Sequence, residues 1–269
     1  MAQNRPRGRP KAFHDRSGQN TIRALDRALS ILATLGGAGG LTLSELASRS
    51  GQSAPTVYRV LTTLAQHGFV ELEEPGQVWH VGAGAFRIGS AFLRRTKLVE
   101  RARPVMDRLM RETRETANLG IRMGDQVLFL SQAETPETIR AFFPPGTIGA
   151  IHASGIGKAL MAWHDEARLR RLAAPGLAAY TERTITTWEG LAADLARTRA
   201  RGYAVDDEER TEGMRCVAAP IFNAHGEPVA GLSVSGPAFR LTAARCAEAG
   251  ARVRAAADEV TEATGGKAP

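Results

Sequence analysis

The sequence predicts an α+β chain in two parts. A helix-rich N-terminal unit closes with a small hairpin, and a larger C-terminal unit mixes strands and helices around an antiparallel sheet. Three observations carry this. Apolar residues recur at helical spacing through 21–66, punctuated by glycines at 36, 51 and 68. Residues 83–115 are helical in composition without an internal turn cluster. From 117 onward the period changes to short apolar runs separated by turn residues, which reads as strands.

Taken in order, TIRALDRALSILATL (21–35) places Ile22, Leu25, Leu29, Ile31, Leu32 and Leu35 near helical spacing, and GGAGG stops it. In LTLSELASRSG, Thr42 and Glu45 form a capping-box signature, and Gly51 ends the short helix. Ser53 can cap the next helix, whose first turn tolerates Pro55, and Gly68 ends it. FVELEEPGQVWHV reads as two strands around Pro75-Gly76. In the helical stretch 83–115, Pro104 marks a kink or a fresh helix start. Beyond it, ANLGIRMGDQVLFLSQAE predicts two strands joined at Gly124-Asp125, and TIRAFFPPG a further short strand. HASGIGKALMAW passes from extended chain into a helix, and 188–202 is an amphipathic helix. YAVDDEERTEGMRCVAAPIF runs strand, acidic loop, strand. VAGLSVSGP is a strand, and LTAARCAEAGARVRAAADEVTEAT closes the chain as a helix. The expected domains are a basic arm over 1–20, a helical unit with its hairpin over 21–82, a helical link over 83–116 and a mixed domain over 117–264.

The 269 residues carry 35 basic and 28 acidic side chains, a net charge of +7, which favours a polyanionic partner such as nucleic acid or a membrane surface. Two cysteines make neither a disulfide framework nor a zinc quartet, no apolar run reaches membrane-span length, and the basic start lacks the apolar core of a signal peptide. A reduced, cytoplasmic protein is expected. The arm RPRGRPKAFHD suits a minor-groove hook. Pro6 and Pro10 keep it extended, and Gly8 lets Arg7 and Arg9 lie flat in a narrow negative groove. The blander reading is a solvated basic terminus.

Two short helices joined by a tight glycine turn, followed by a hairpin, make a winged helix-turn-helix. Its second helix would offer Ser53, Thr56, Tyr58 and Arg59 to double-stranded DNA. Arg59 suits a guanine edge or a phosphate, Thr56 does either more weakly, and Ser53, Tyr58, Gln77 and His80 suit the backbone. The alternative is a three-helix packing unit without DNA.

The phrases ALDRALSILATL, LTLSELASRSG, TVYRVLTTLAQHGFVE, ARPVMDRLMRETRETANL, HASGIGKAL, GYAVDDEE, GMRCVAAPIF and SVSGP occur in the order seen in the isocitrate-lyase-regulator (IclR) family of bacterial transcription factors. The resemblance spans about residues 21–262. It implies a winged helix-turn-helix, a linker helix used in dimerisation, and a ligand-sensing domain similar to GAF and PAS folds, assembled as dimers or dimers of dimers. It also implies a site for a small carboxylate effector, and the residues suit one. In HASGIG the chain enters a helix start, where unpaired N–H groups and the dipole favour an anion, so the N–H groups of Gly155 and Ile156 are candidates. Carried over by position, Asp206, Cys216, Ser233 and Ser235 close the pocket. The two serines alternate onto one strand face, and Met214 and Phe143 supply apolar wall. Such a pocket suits a short 2-oxo or 2-hydroxy acid, glyoxylate or pyruvate, with an aromatic acid as the alternative. RGRPKAFHD with FFPPG also resembles regulators of glyoxylate assimilation through β-hydroxyaspartate.

Enzyme signals fail one by one. In GIGKA, Ala159 stands where a phosphate loop needs Ser or Thr, and His152 holds the earlier glycine position. In VGAGAFRIG, Arg87 replaces the third glycine, and GLSVS places Ser235 last rather than at a nucleophile elbow. The six histidines show no metal spacing, and Cys216 has no sequence-adjacent base. No cofactor, metal or catalysis is expected. The rival functions are an architectural DNA-binding protein with a vestigial sensor, and a small-molecule enzyme on the second domain.

Overall fold

The computed structural model describes residues 21–173 and 176–269. Arg7 and Arg9 of the basic arm lie outside the described residues. Contacts divide the chain into two units that meet between Arg94 and Arg95, and each is described by itself.

The first unit contains α1 (Arg23–Gly36), β1 (Leu41–Thr42), α2 (Leu43–Ser50), α3 (Ala54–Gln66), β2 (Val70–Glu73), β3 (Val78–Val81) and the start of α4 (Ala83–Thr96). The Thr42 side chain accepts from the Glu45 N–H while the Glu45 carboxylate accepts from the Thr42 N–H at 2.8 Å, so the expected capping box is present. Gly51, at φ 63°, turns the chain from α2 into α3 in a conformation that residues with a Cβ adopt only under strain. The core is Ile31, Leu35, Leu46, Val57, Leu61, Val70 and Trp79. Only the second half of the α1 stripe enters it, because Leu25 and Leu29 are more than half exposed. The hairpin is a three-stranded sheet, β1-β3-β2, since Leu41 pairs with Trp79 along β3. The two-residue β1 is too short to leave a period in the sequence.

The second unit begins with α5 (Leu98–Thr113). Lys97, at φ 50°, separates it from α4, and Pro104 lies inside α5 rather than at a helix start. There follow β4 (Thr116–Met123), β5 (Gln126–Ala133), β6 (Ile148–Ala150), α6 (Gly155–Met161), α7 (Glu166–Ala173), α8 (Trp188–Arg201), β7 (Ala204–Asp207), β8 (Met214–Phe222), β9 (Pro228–Pro237) and α9 (Ala243–Ala263). The strands form one six-stranded sheet, β6-β5-β4-β9-β8-β7, antiparallel at every step. The expected strand at TIRAFFPPG does not form. Pro144 and Pro145 have no N–H to give a ladder, and the Ala141 carbonyl accepts from the Thr116 hydroxyl at 3.0 Å instead. Helix α7 adds an element that the sequence reading left out.

Two features fix the sheet to what covers it. A fully buried Glu115 accepts two bonds from Arg240, at 2.8 and 2.7 Å, which ties the start of β4 to the segment before α9. Helix α6 packs directly on β9, where Gly231 leaves room for Ile156. A Cβ at 231 would stand 2.7 Å from Ile156 Cγ2.

Candidate functional site

On the first unit, α3 buries Val57 and Leu61 and turns its other face outward. Ser53, Tyr58 and Arg59 are exposed and Thr56 is half-buried. Ser53 is the N-cap of α3, but its hydroxyl meets Thr56 Oγ1 at 2.9 Å rather than a backbone N–H. That pairing presets both hydroxyls at the helix start. In the wing, the His80 ring is held between Glu73 Oε2 at 2.9 Å and the Gly39 carbonyl at 3.0 Å. His80 therefore braces the hairpin, and Gln77, exposed at φ 49°, stands at its tip.

On the second unit, the sheet register brings the later site residues into one line. Asp206 pairs with Cys216 across β7 and β8, and Cys216 pairs with Ser235 across β8 and β9. Their side chains share a face because cross-strand partners point the same way. Above this line, Gly155 opens α6 with its Cα so close that an added Cβ would stand 2.7 Å from Cys216 Sγ. Ser154 caps the helix by accepting from the Gly157 N–H. A cavity of about 150 Å³ lies here, lined by Gly155, Asp206, Met214, Cys216 and Ser235. Phe143 also lines it and stacks on Phe129, with ring centroids 5.0 Å apart. Two residues from the sequence reading stand behind the lining rather than in it. Ile156 points into the core against Gly231, and Ser233 is fully buried one pleat further along β9.

The charges around this cavity are unusual for an acidic run. Lys158 of α6 is completely buried, with its ammonium on Glu209, on Asp194 of α8 at 2.9 Å, and on the Val205 carbonyl at 2.6 Å. Burial works against its charge, but the Glu209 and Asp194 carboxylates outweigh that and hold its pKa above the ordinary lysine value. Asp206 accepts from the Glu209 N–H at 2.8 Å. Burial first, and the Glu209 charge second, push its carboxyl up to about 7. Cys216 is pushed up to about 11, by burial and then by Asp206, with the nearby Ser235 and Ser233 hydroxyls and the Gly155 N–H pulling the other way. A thiol held protonated in this way is a packing and hydrogen-bonding group, not a nucleophile. Two cations border the cavity. Arg215 is engaged by Asp207 at 2.5 Å and Glu208 at 3.2 Å, whereas Arg210 lies over the Tyr180 ring at 3.9 Å.

Lys158, Asp194, Glu209 and Arg210 were absent from the sequence-derived site. One local signal pointed to Lys158, a single lysine in the apolar run GIGKALMAW, which must find an acid once that run is buried. Nothing local marks Asp194 or Glu209 as its partners, since they lie 36 and 51 residues away. No group of His, Cys, Asp and Glu suited to a metal occurs among the described residues.

Two family models match the chain. The IclR helix-turn-helix domain covers residues 24–74, and the bacterial transcriptional regulator IclR C-terminal domain covers 90–262. The HTH-type transcriptional regulator BhcR of Paracoccus denitrificans is 56% identical over 260 residues, spanning 96% of this chain and 92% of its own. The transcriptional repressor IclR of Escherichia coli is 40% identical, spanning 97% and 96%. Among solved structures, the crystal structure of Thermotoga maritima IclR aligns with a TM-score of 0.76 at 29% identity, over 91% of this chain and 100% of that one.

Two outcomes are expected from the geometry. Lys158→Met strands two buried carboxylates and should lower the stability of the second unit by about 3–5 kcal/mol in denaturant unfolding. Arg59→Ala should weaken binding to a cognate DNA site by about 1–3 kcal/mol, measured by fluorescence anisotropy at fixed salt, with the fold intact by circular dichroism.

Proposed function

The chain belongs to the IclR family of bacterial transcriptional regulators, and on that premise we propose that a small carboxylate, a 2-oxo acid such as glyoxylate or pyruvate, controls its affinity for an operator. The carrying observation is the convergence of Gly155, Asp206, Cys216 and Ser235 on one small cavity. Hydroxyl, thiol and a carboxyl that is neutral below about pH 7 give hydrogen bonds to a short polar acid, and Met214 and Phe143 exclude water around it. A volume of about 150 Å³ favours a short acid. The stacked Phe129–Phe143 wall supports the second reading, an aromatic acid.

In this reading the exposed residues of α3 and its N-cap, Ser53, Thr56, Tyr58 and Arg59, read and hold the operator, and Arg7 and Arg9 enter the adjoining minor groove. The protein works in the cytoplasm as a dimer or a dimer of dimers. Exposed Phe86 and Ile88 on α4, and Leu25 and Leu29 on α1, are apolar surface that a second copy would cover. The effector acts by binding two conformations unequally, typically a coupling of about 1–3 kcal/mol.

Asp206 gives the site a pH signature. The charges of Glu209 and Lys158 act on it, Cys216 lies beside it across the strands, and Arg210 and Arg215 border the same cavity. Its ionised form repels a carboxylate effector and its neutral form donates to one. With the carboxyl at about 7, affinity should rise as pH falls from 8 to 6. Asp206→Asn should keep binding and lose this dependence. The test is anisotropy on labelled DNA from upstream of the protein's own gene, with and without glyoxylate, pyruvate and benzoate. A shift by one acid that strengthens toward pH 6 is the expected result. Specific DNA binding that no acid shifts would leave the sensor reading without support.

A further inference from the structure

A second cavity, of about 250 Å³, lies beside the first and shares with it the short β6 and Arg210. It is built around Tyr180. The Arg210 guanidinium covers that ring at 3.9 Å, and the His152 ring stands 5.9 Å from it. Among the described residues, no carboxylate pairs with Arg210, and its guanidinium meets only the π-face of Tyr180. The His152 Nε2 contacts the Ala178 carbonyl at 2.9 Å. A carbonyl only accepts, so Nε2 is the donor; in the tautomer with its single proton there, Nδ1 is an acceptor, and it has no hydrogen bond among the described residues. Asp125, exposed at the turn between β4 and β5, adds a second acceptor. Leu177 and Met161 form part of the wall.

The cavity thus offers one cation with unused donors and, in the same lining, acceptors with nothing to accept from. We infer that it is a second ligand site, for a monocarboxylic acid that also carries a hydroxyl group. The carboxylate takes the fork of Arg210, a planar donor pair that matches it. The hydroxyl donates to His152 Nδ1 or Asp125, which a plain acid or a 2-oxo acid cannot do. A second carboxylate is disfavoured by Asp125. Because one guanidinium borders both cavities, occupancy here acts directly on the charge balance of the first. The inference does not depend on which acid, if any, fills the first cavity.

The probe is glycerate, set against propionate, the same three-carbon acid without hydroxyls. Both are titrated calorimetrically into the full chain and into three variants whose folding is checked by thermal melts. Leu177→Trp fills the second cavity, Ser235→Leu fills the first, and Arg210→Gln removes the cation from the surface with little threat to the fold. The expected result is that glycerate binds the wild type about fivefold or more tighter than propionate, the value of one hydrogen bond. Leu177→Trp should abolish the preference for glycerate over propionate, Arg210→Gln should weaken glycerate binding at least about tenfold, and Ser235→Leu should leave the preference unchanged. Binding lost in Ser235→Leu and kept in Leu177→Trp would place glycerate in the first cavity and overturn the inference. Equal affinity for propionate would overturn it, as would binding unchanged in Arg210→Gln. If the wild type takes up no glycerate while glyoxylate still shifts DNA affinity, this inference falls and the effector reading stands.

Discussion

A lysine with no access to solvent must be held by charge, and the second unit is organised around that requirement. The ammonium of Lys158 can stay ionised only because Glu209, Asp194 and the Val205 carbonyl surround it. Those partners come from a loop, from α8 and from β7. One buried group therefore fixes the height and rotation of α6 above the sheet, and with it the position of Gly155 at the cavity. The same contact orients the acidic loop. Glu209 pairs with Lys158 while its own N–H donates to Asp206, whose carboxyl lies beside Cys216. Thr184 and Thr181 secure the loop further, donating to the Glu209 carbonyl at 2.6 Å and the Glu208 carbonyl at 2.8 Å. Replacing such a buried pair wholesale with apolar groups can be tolerated, but removing one member leaves charge stranded in low dielectric.

Close approach is the second constraint, and it follows from the first. With α6 held down, backbone must pass where side chains would clash. Gly157 meets the Ile151 carbonyl so closely that a Cβ there would stand 1.9 Å from it. Such packing leaves a cavity whose lining groups are already in place. An occupant can bias the unit between states only through differential contacts with these groups.

Much of this was legible in the sequence, where the cause was local. The capping box at Thr42 and Glu45, the glycine at 51 and the apolar positions Val57 and Leu61 are each set by neighbours a few residues away. The alternation rule placed Ser233 and Ser235 on one face, but only the register with β8 shows that Ser235 borders the cavity and Ser233 stops short of it. Ile156 entered the reading through its N–H, next to that of Gly155; its side chain serves the core, a separate role that the apolar run does not distinguish. The acidic run after YAV read as a loop between two strands, with Asp206 assigned to the pocket. It is partly buried, because its partner Lys158 lies some fifty residues earlier, and no period or motif records that distance. The prolines at 144 and 145 did carry the warning against a strand at TIRAFFPPG.

Hydrogen exchange of the α6 backbone tests this account most directly, followed residue by residue from Lys158 to Ala162 in the wild type and in Glu209→Gln. If the buried ammonium clamp holds the helix, these amides exchange among the slowest in the second unit, and Glu209→Gln accelerates them selectively while β4 and β9 remain protected. If α6 already exchanges as fast as exposed turns, or if Glu209→Gln leaves its protection unchanged, the clamp does not set the cavity and the account of the site is wrong.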